Sequence, residues 1–182
     1  MSAIRGARIF VSLAFIACAS WSGTTAVAAA ASRGVIASFE GGSINLADGW
    51  GEATACTSDS VTTQCYRTEA EMDAATNTAS STSVRRAAIV PLISCASALK
   101  LYRSTSFTGA VLQLTSRGTF INLSSFGFDN DTSSYQVGAC SSSFYDGASG
   151  GTPLYPGTTT ANSSASSMLA GWDNRVSSVF IN

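Results

Sequence analysis

One eight-residue pattern occurs twice and constrains this chain more than any other feature. Gly127-Phe128-Asp129-Asn130-Asp131-Thr132-Ser133-Ser134 is matched, 44 residues later, by Gly171-Trp172-Asp173-Asn174-Arg175-Val176-Ser177-Ser178. The shared positions are Gly, an aromatic, Asp, Asn, two variable residues, then Ser-Ser. Each copy runs into a short apolar stretch, Tyr135 to Val137 and Val179 to Ile181. A repeat of this period predicts two copies of one supersecondary unit that bury a shared core. Around it, Leu99, Leu101, Val111, Leu112 and Leu114 fall in alternating or short apolar runs bounded by Gly, Ser and Asn, which predicts β-strands.

The residue types in the repeat suit a hard cation. Calcium takes six to eight oxygens, from carboxylates, amides, carbonyls and water. Adjacent Asp and Asn supply two kinds of oxygen, and the Ser four positions after each Asp supplies a third. Asp, Asn and Ser also build turns ahead of strands. Two copies in matched context favour the metal reading.

The stretch from Cys95 to Asn182 resembles the βγ-crystallin domain on these residues. Calcium-binding members carry Asn/Asp, Asn/Asp, any, any, Ser/Thr, Ser in each of two Greek-key motifs, and both copies here fit. The family's hairpin signature, aromatic-x4-aromatic-x-Gly, is met by Tyr102, Phe107 and Gly109. In the second motif Phe144 and Gly151 keep the spacing, with Ser149 in place of the middle aromatic. The resemblance implies an all-β, Greek-key antiparallel β-sandwich. It implies two calcium ions shared between loops, with Asp129, Asn130 and Ser133 and with Asp173, Asn174 and Ser177 as ligands. Backbone oxygens of Asp131 and Arg175 would help, and Ser134 and Ser178 would brace the hairpins. The low ligand charge implies a modest affinity, on the order of 10⁻⁵ to 10⁻³ M.

The N-terminus reads as a secretory signal peptide over residues 1–31: Arg5 and Arg8, an apolar run from Ile9 to Cys18, then Ala26-Val27-Ala28 and Ala28-Ala29-Ala30. Its apolar run is too short to span a bilayer, and nothing after residue 31 is long and apolar enough. Removing Arg5 and Arg8 takes the formal charge from −1 to −3, with no basic stripe for nucleic acid. Four cysteines remain, Cys56, Cys65, Cys95 and Cys140. In an exported chain they predict two disulfides with three possible pairings, of which Cys56–Cys65 with Cys95–Cys140 is favoured. The spacings are unlike those of zinc sites, and the chain has no histidine. That removes Ser-His-Asp, Cys-His and histidine-metal chemistry.

Residues 32–90 read as a small appendage to a 91–182 domain. Short strands run from Val35 to Tyr66, and Thr68-Glu69-Ala70-Glu71 predicts a capped helix to about Thr76. A polar linker from Ala79 to Arg86 follows, with Arg85-Arg86 open to proteolysis. Ile44-Asn45-Leu46 and Gly49-Trp50 echo Ile121-Asn122-Leu123 and Gly127-Phe128. Without a calcium hexapeptide after Trp50, that echo reads as chance resemblance of a Gly-rich strand pair, with a decayed half-motif as the alternative.

The expected function is that of a secreted, extracellular, non-catalytic, monomeric calcium-binding module. The alternative is a secreted protease inhibitor of the crystallin-like metalloproteinase-inhibitor type, with the polar loop 157–167 as its reactive segment and a secreted protease as partner. A carbohydrate binder using exposed Tyr145, Tyr155 and Trp172 ranks third, and a hydrolase built on Asp129 and Asp173 last.

Overall fold

A computed structural model describes residues 34–59, 61–83 and 94–182. The expected signal peptide and the Arg85-Arg86 point lie outside the described residues. Alternating apolar positions produce strands β1 (Ile36–Phe39), β2 (Gly42–Asn45), β3 (Ala55–Ser58) and β4 (Thr63–Tyr66), followed by helix α1 (Glu69–Ser83). The C-terminal part contributes β5 (Ser94–Ser104), β6 (Thr108–Ser116), β7 (Phe120–Asn122), β8 (Ser134–Gln136), β9 (Ser142–Gly147), β10 (Gly151–Leu154), β11 (Ser164–Ala165) and β12 (Ser178–Ile181). The strands form two sheets, ordered β11-β8-β5-β6-β3-β4-β1-β2 and β10-β9-β12-β7.

This order contains two interlocked Greek keys. In the first motif β5, β6 and β8 share one sheet while β7 crosses to the other. In the second, β9, β10 and β12 share the second sheet while β11 crosses back. The pairs within and between these motifs are antiparallel. Inward-facing side chains alternate along each strand and close the core between the sheets. Leu99, Leu101, Leu112, Leu114 and Tyr135 meet Phe144, Val179 and Ile181, all at most 2 % exposed. Tyr135 packs edge-on against Phe144 with ring centroids 5.0 Å apart.

Residues 34–66 continue the first sheet. β3 pairs parallel to the edge strand β6, with Cys56 opposite Leu112, and β4, β1 and β2 follow outward. Cys56 and Cys65 face each other across β3 and β4 and are joined by a disulfide. The second disulfide joins Cys95 to Cys140, so the favoured pairing is the one observed.

Helix α1 begins where the sequence predicts. The Glu71 amide donates to Thr68 Oγ1 at 3.2 Å, and the Glu71 carboxylate accepts from the Arg67 amide at 3.1 Å, one residue before the cap. The helix continues to Ser83, so residues 79–83 are helical rather than the expected linker. No Gly or Pro interrupts residues 77–83, so no strong helix breaker ends the helix after Thr76. The helix lies on the outer face of the first sheet. Met72, fully buried, packs with Ala55, Tyr102 and Val111, while Glu69 and Asp73, one turn apart, both reach Lys100 Nζ at 2.7 Å.

The N-terminal echo has the same local structure as its counterpart. β2 runs into a 3₁₀ turn at Leu46–Asp48, then Gly49 and the buried Trp50; β7 runs into a 3₁₀ turn at Leu123–Phe126, then Gly127 and the buried Phe128. The two turns pack together. The Val35 amide donates to the Ser125 carbonyl at 2.7 Å, Trp50 Nε1 donates to the Phe126 carbonyl at 2.7 Å, and the Trp50 and Phe128 rings lie 5.6 Å apart. Gly127 is required here: its φ is +61°, and a Cβ would sit 2.2 Å from the Leu46 carbonyl oxygen.

The second hairpin differs from the sequence expectation by one residue. The Tyr102 carbonyl accepts from the Ser133 amide, and the Tyr145 carbonyl accepts from the Ser177 amide, each at 2.8 Å. Tyr145, not Phe144, therefore occupies the position of Tyr102, and Gly150, not Ser149, that of Phe107. Phe144 points into the core and is fully buried.

Candidate metal centre

Both repeat loops are anchored by their aromatic residue. Phe128 (0 % exposed) and Trp172 (7 %) are core side chains, so the stretches after them leave the core at fixed points. Trp172 and Tyr155 (4 %) are thereby removed from the expected sugar-stacking surface. Asn130 and Asn174 then adopt left-handed backbone, with φ of 54° and 53°. Asn tolerates this conformation better than most residues because its short polar side chain is locally compatible with it.

The loops clasp each other by a reciprocal set of bonds. The Asn130 amide donates to the Val176 carbonyl and the Asn174 amide to the Thr132 carbonyl, both at 3.0 Å. The Ser133 hydroxyl donates to Asn174 Oδ1, and the Ser177 hydroxyl to Asn130 Oδ1, both at 3.2 Å. Each end of the clasp thus joins a serine of one loop to an asparagine of the other. Ser134 and Ser178 brace the folded hairpins. Ser134 donates to the Ser104 carbonyl at 2.6 Å and accepts from the Phe107 amide at 3.1 Å; Ser178 donates to the Gly147 carbonyl at 2.5 Å and accepts from the Gly150 amide at 3.0 Å.

The remaining candidate residues fall into two groups. Asp129 and Asp173 are exposed, and no ion pair among the described residues involves them. The side chains of Asp131 and Arg175 are occupied instead. Arg103 Nε lies 2.6 Å from Asp131 Oδ2, and Arg175 Nε lies 2.6 Å from Asp146 Oδ2. Arg103 and Asp146 directly follow the equivalent residues Tyr102 and Tyr145, so the same ion pair occurs in both motifs with its charges exchanged. Burial raises the Asp131 carboxyl above the ordinary carboxylate range, with the Arg103 charge acting against it.

Arg103 also links this loop to the N-terminal strands. Its guanidinium lies 5.0 Å from the Trp50 ring centroid and 5.1 Å from that of Phe128, and it donates to the Gly127 carbonyl at 2.8 Å. Arg103 and Asp146 were not singled out in the sequence, and Trp50 was only as the echo of Phe128. The signal for the first two was their complementary charge to Asp131 and Arg175, visible only once Tyr145 is aligned with Tyr102.

The donors suit a hard cation rather than a soft one. Each end of the clasp presents an amide oxygen and a hydroxyl, with an exposed Asp carboxylate one residue before the asparagine, and nearby carbonyls complete an all-oxygen set. Among the described residues, no three His, Cys, Asp or Glu side chains converge, so a bound cation would rest largely on neutral oxygens. The Thr132 hydroxyl, between the clasp residues in sequence, is buried without a hydrogen-bond partner among the described residues.

No protein-family model and no curated protein matches this chain. Solved structures similar to it include a βγ-crystallin from Ciona intestinalis (23 % identity, 47 % of this chain and 99 % of that chain covered, TM-score 0.40). Others are a βγ-crystallin domain from Flavobacterium johnsoniae (23 %, 46 % and 92 %, 0.37) and a βγ-crystallin from an archaeon (20 %, 48 % and 100 %, 0.37). The interlocked strand order, the exchanged third strands and the bracing serines give residues 94–182 a βγ-crystallin-type fold.

Proposed function

We propose that this protein is an exported, non-catalytic module that binds two calcium ions between its paired loops. The observation that carries this reading is the reciprocal clasp: Ser133 with Asn174 and Ser177 with Asn130, two equivalent clusters of oxygen donors. In each, Asn and Ser side chains, the neighbouring Asp129 or Asp173 and the backbone oxygens of Asp131 or Arg175 are the ligand candidates. A cation there would bridge two motifs that are far apart in sequence, so its binding energy would add to the stability of the domain. The two disulfides and the signal-like N-terminus support an oxidising, extracellular setting.

The test is thermal unfolding of the mature, oxidised protein in chelator, in millimolar calcium and in magnesium. With calcium at about 100 times its dissociation constant, each independent site adds about 2.7 kcal/mol, which raises the midpoint by about ten degrees for the pair. The Asp129→Ala, Asp173→Ala double variant should stay folded and lose this response. A midpoint indifferent to calcium would remove the reading.

A further inference from the structure

The outer face of the first sheet carries a second feature, unrelated to the calcium reading. A helix packed on a sheet normally covers apolar side chains. Here α1 does so only at one end, over Ala55, Val111 and Tyr102. Beyond it, the sheet presents a cross-strand row of polar residues, placed side by side by register: Gln64, Thr57, Gln113, Lys100 and Gln136, from β4, β3, β6, β5 and β8 in turn. The row lines a groove of about 650 Å³ between sheet and helix, with Tyr66 at one side. That volume lies within the range of small-molecule sites.

The chemistry of the row selects the ligand. The Gln113 side chain makes one hydrogen bond among the described residues, from Nε2 to Thr57 Oγ1 at 3.3 Å, which leaves its amide oxygen open to the groove. An amide oxygen that no protein donor occupies is free to accept from a ligand entering the groove. Lys100, the one cation in the row, is held by Glu69 and Asp73, so no free positive charge awaits a phosphate or carboxylate. Besides Asp59 and Asp73, what remains is a lining of amides and hydroxyls, with small side chains such as Ala98 and an aromatic ring at its side. Amides offer donor and acceptor together and match adjacent hydroxyls, while the small and aromatic side chains suit the apolar faces of sugar rings. We infer that this groove binds an uncharged oligosaccharide.

The test titrates the full mature protein with cellohexaose, chitohexaose and maltohexaose by calorimetry, in calcium and again in chelator. At least one should bind saturably with a dissociation constant on the order of 10⁻⁵ to 10⁻³ M, in both conditions. Gln64→Ala, an exposed change that leaves the core intact, should weaken binding about fivefold or more, and Ala98→Trp, which fills the groove, should abolish it. No saturable binding of any of the three sugars overturns the inference, as does binding that Gln64→Ala leaves unchanged.

Discussion

The Phe120 ring packs edge-on against Tyr145, with centroids 5.6 Å apart and planes at 73°, and so reproduces the Tyr102–Phe107 contact of the first hairpin, 5.8 Å and 66°. The second hairpin has Gly150 where the first has Phe107. Phe120 enters from β7 and fills the space, lying 2.5 Å from where a Gly150 Cβ would be. An aromatic lost from a hairpin is thus supplied by a strand of the other motif. Phe120→Ala should therefore destabilise by about 1–3 kcal/mol despite the partial exposure of the ring. Gly150→Ala should also destabilise, because its φ is +84° and its methyl group would displace Phe120. Chemical denaturation of both variants checks this; a neutral Phe120→Ala would show that the contact is incidental.

The clasp makes a prediction about how the two candidate sites respond to single changes. Ser133 and Asn174 belong to one end, Ser177 and Asn130 to the other. Under the calcium reading, Ser133→Ala should weaken the same site as Asn174→Ala, and Ser177→Ala the same site as Asn130→Ala. Calorimetric titration of the four variants would show it. Effects grouped by loop instead, with Ser133 following Asn130, would contradict shared sites.

Arg103 should matter to stability beyond its charge. Arg103→Met leaves the half-buried Asp131 carboxylate without its partner and removes the bond to the Gly127 carbonyl, at a cost of about 1–3 kcal/mol. Arg103→Lys should recover only part of it, because an ammonium lacks the planar, forked surface with which the guanidinium contacts both the Trp50 and Phe128 rings while bonding the Gly127 carbonyl. Equal stability of the Lys variant and the parent in urea would mean that charge alone is at work.

The fold should weaken in alkali. Burial raises the Tyr102 and Tyr135 phenols above their ordinary 10.0, with a Glu69 hydrogen bond adding to the effect at Tyr102. Burial disfavours the Lys100 charge, but the bonds to Asp73 and Glu69 outweigh it and hold the ammonium above its ordinary 10.5. The unfolded chain therefore releases these three protons first as pH rises. It then binds fewer protons than the native state, and stability falls with pH. The contribution is complete below about pH 9 and declines from about pH 10 upward. Urea midpoints at about pH 8 and pH 11 should differ, and Tyr102→Phe should narrow the gap. An unchanged gap in that variant would rule out Tyr102 as a source.

The disulfides should differ in weight. In the chain-entropy picture, closing the 45-residue separation of Cys95 and Cys140 contributes roughly 4 kcal/mol, against roughly 3 kcal/mol for the 9-residue separation of Cys56 and Cys65. Paired Cys→Ser variants should rank in that order by midpoint.

What could be read from the sequence was local. The two loops, their bracing serines and the first hairpin each lie within a few consecutive residues, so pattern and spacing reveal them. The second hairpin was misplaced by one residue because its missing aromatic is supplied by Phe120, about thirty residues upstream. The kinship of Leu46 and Trp50 with Leu123 and Phe128 was visible but had no chemical motif to support it, and only their packing together gives it meaning. The polar row had no sequence signature at all, since Gln64, Gln113 and Gln136 become neighbours only through strand register.

The parallel pairing of β3 with β6 also sets an order of events. β6 is the edge that the first motif exposes, just as β10 is the edge of the second, and only the former is extended by another strand. A chain delivered from its N-terminus offers β3 some fifty residues before the strand it must join. Strands β1 to β4 therefore have no larger sheet to join until β6 has formed. The early strands can pair with one another and close their own disulfide first, so the β3–β6 junction is a later seam of the eight-stranded sheet to close.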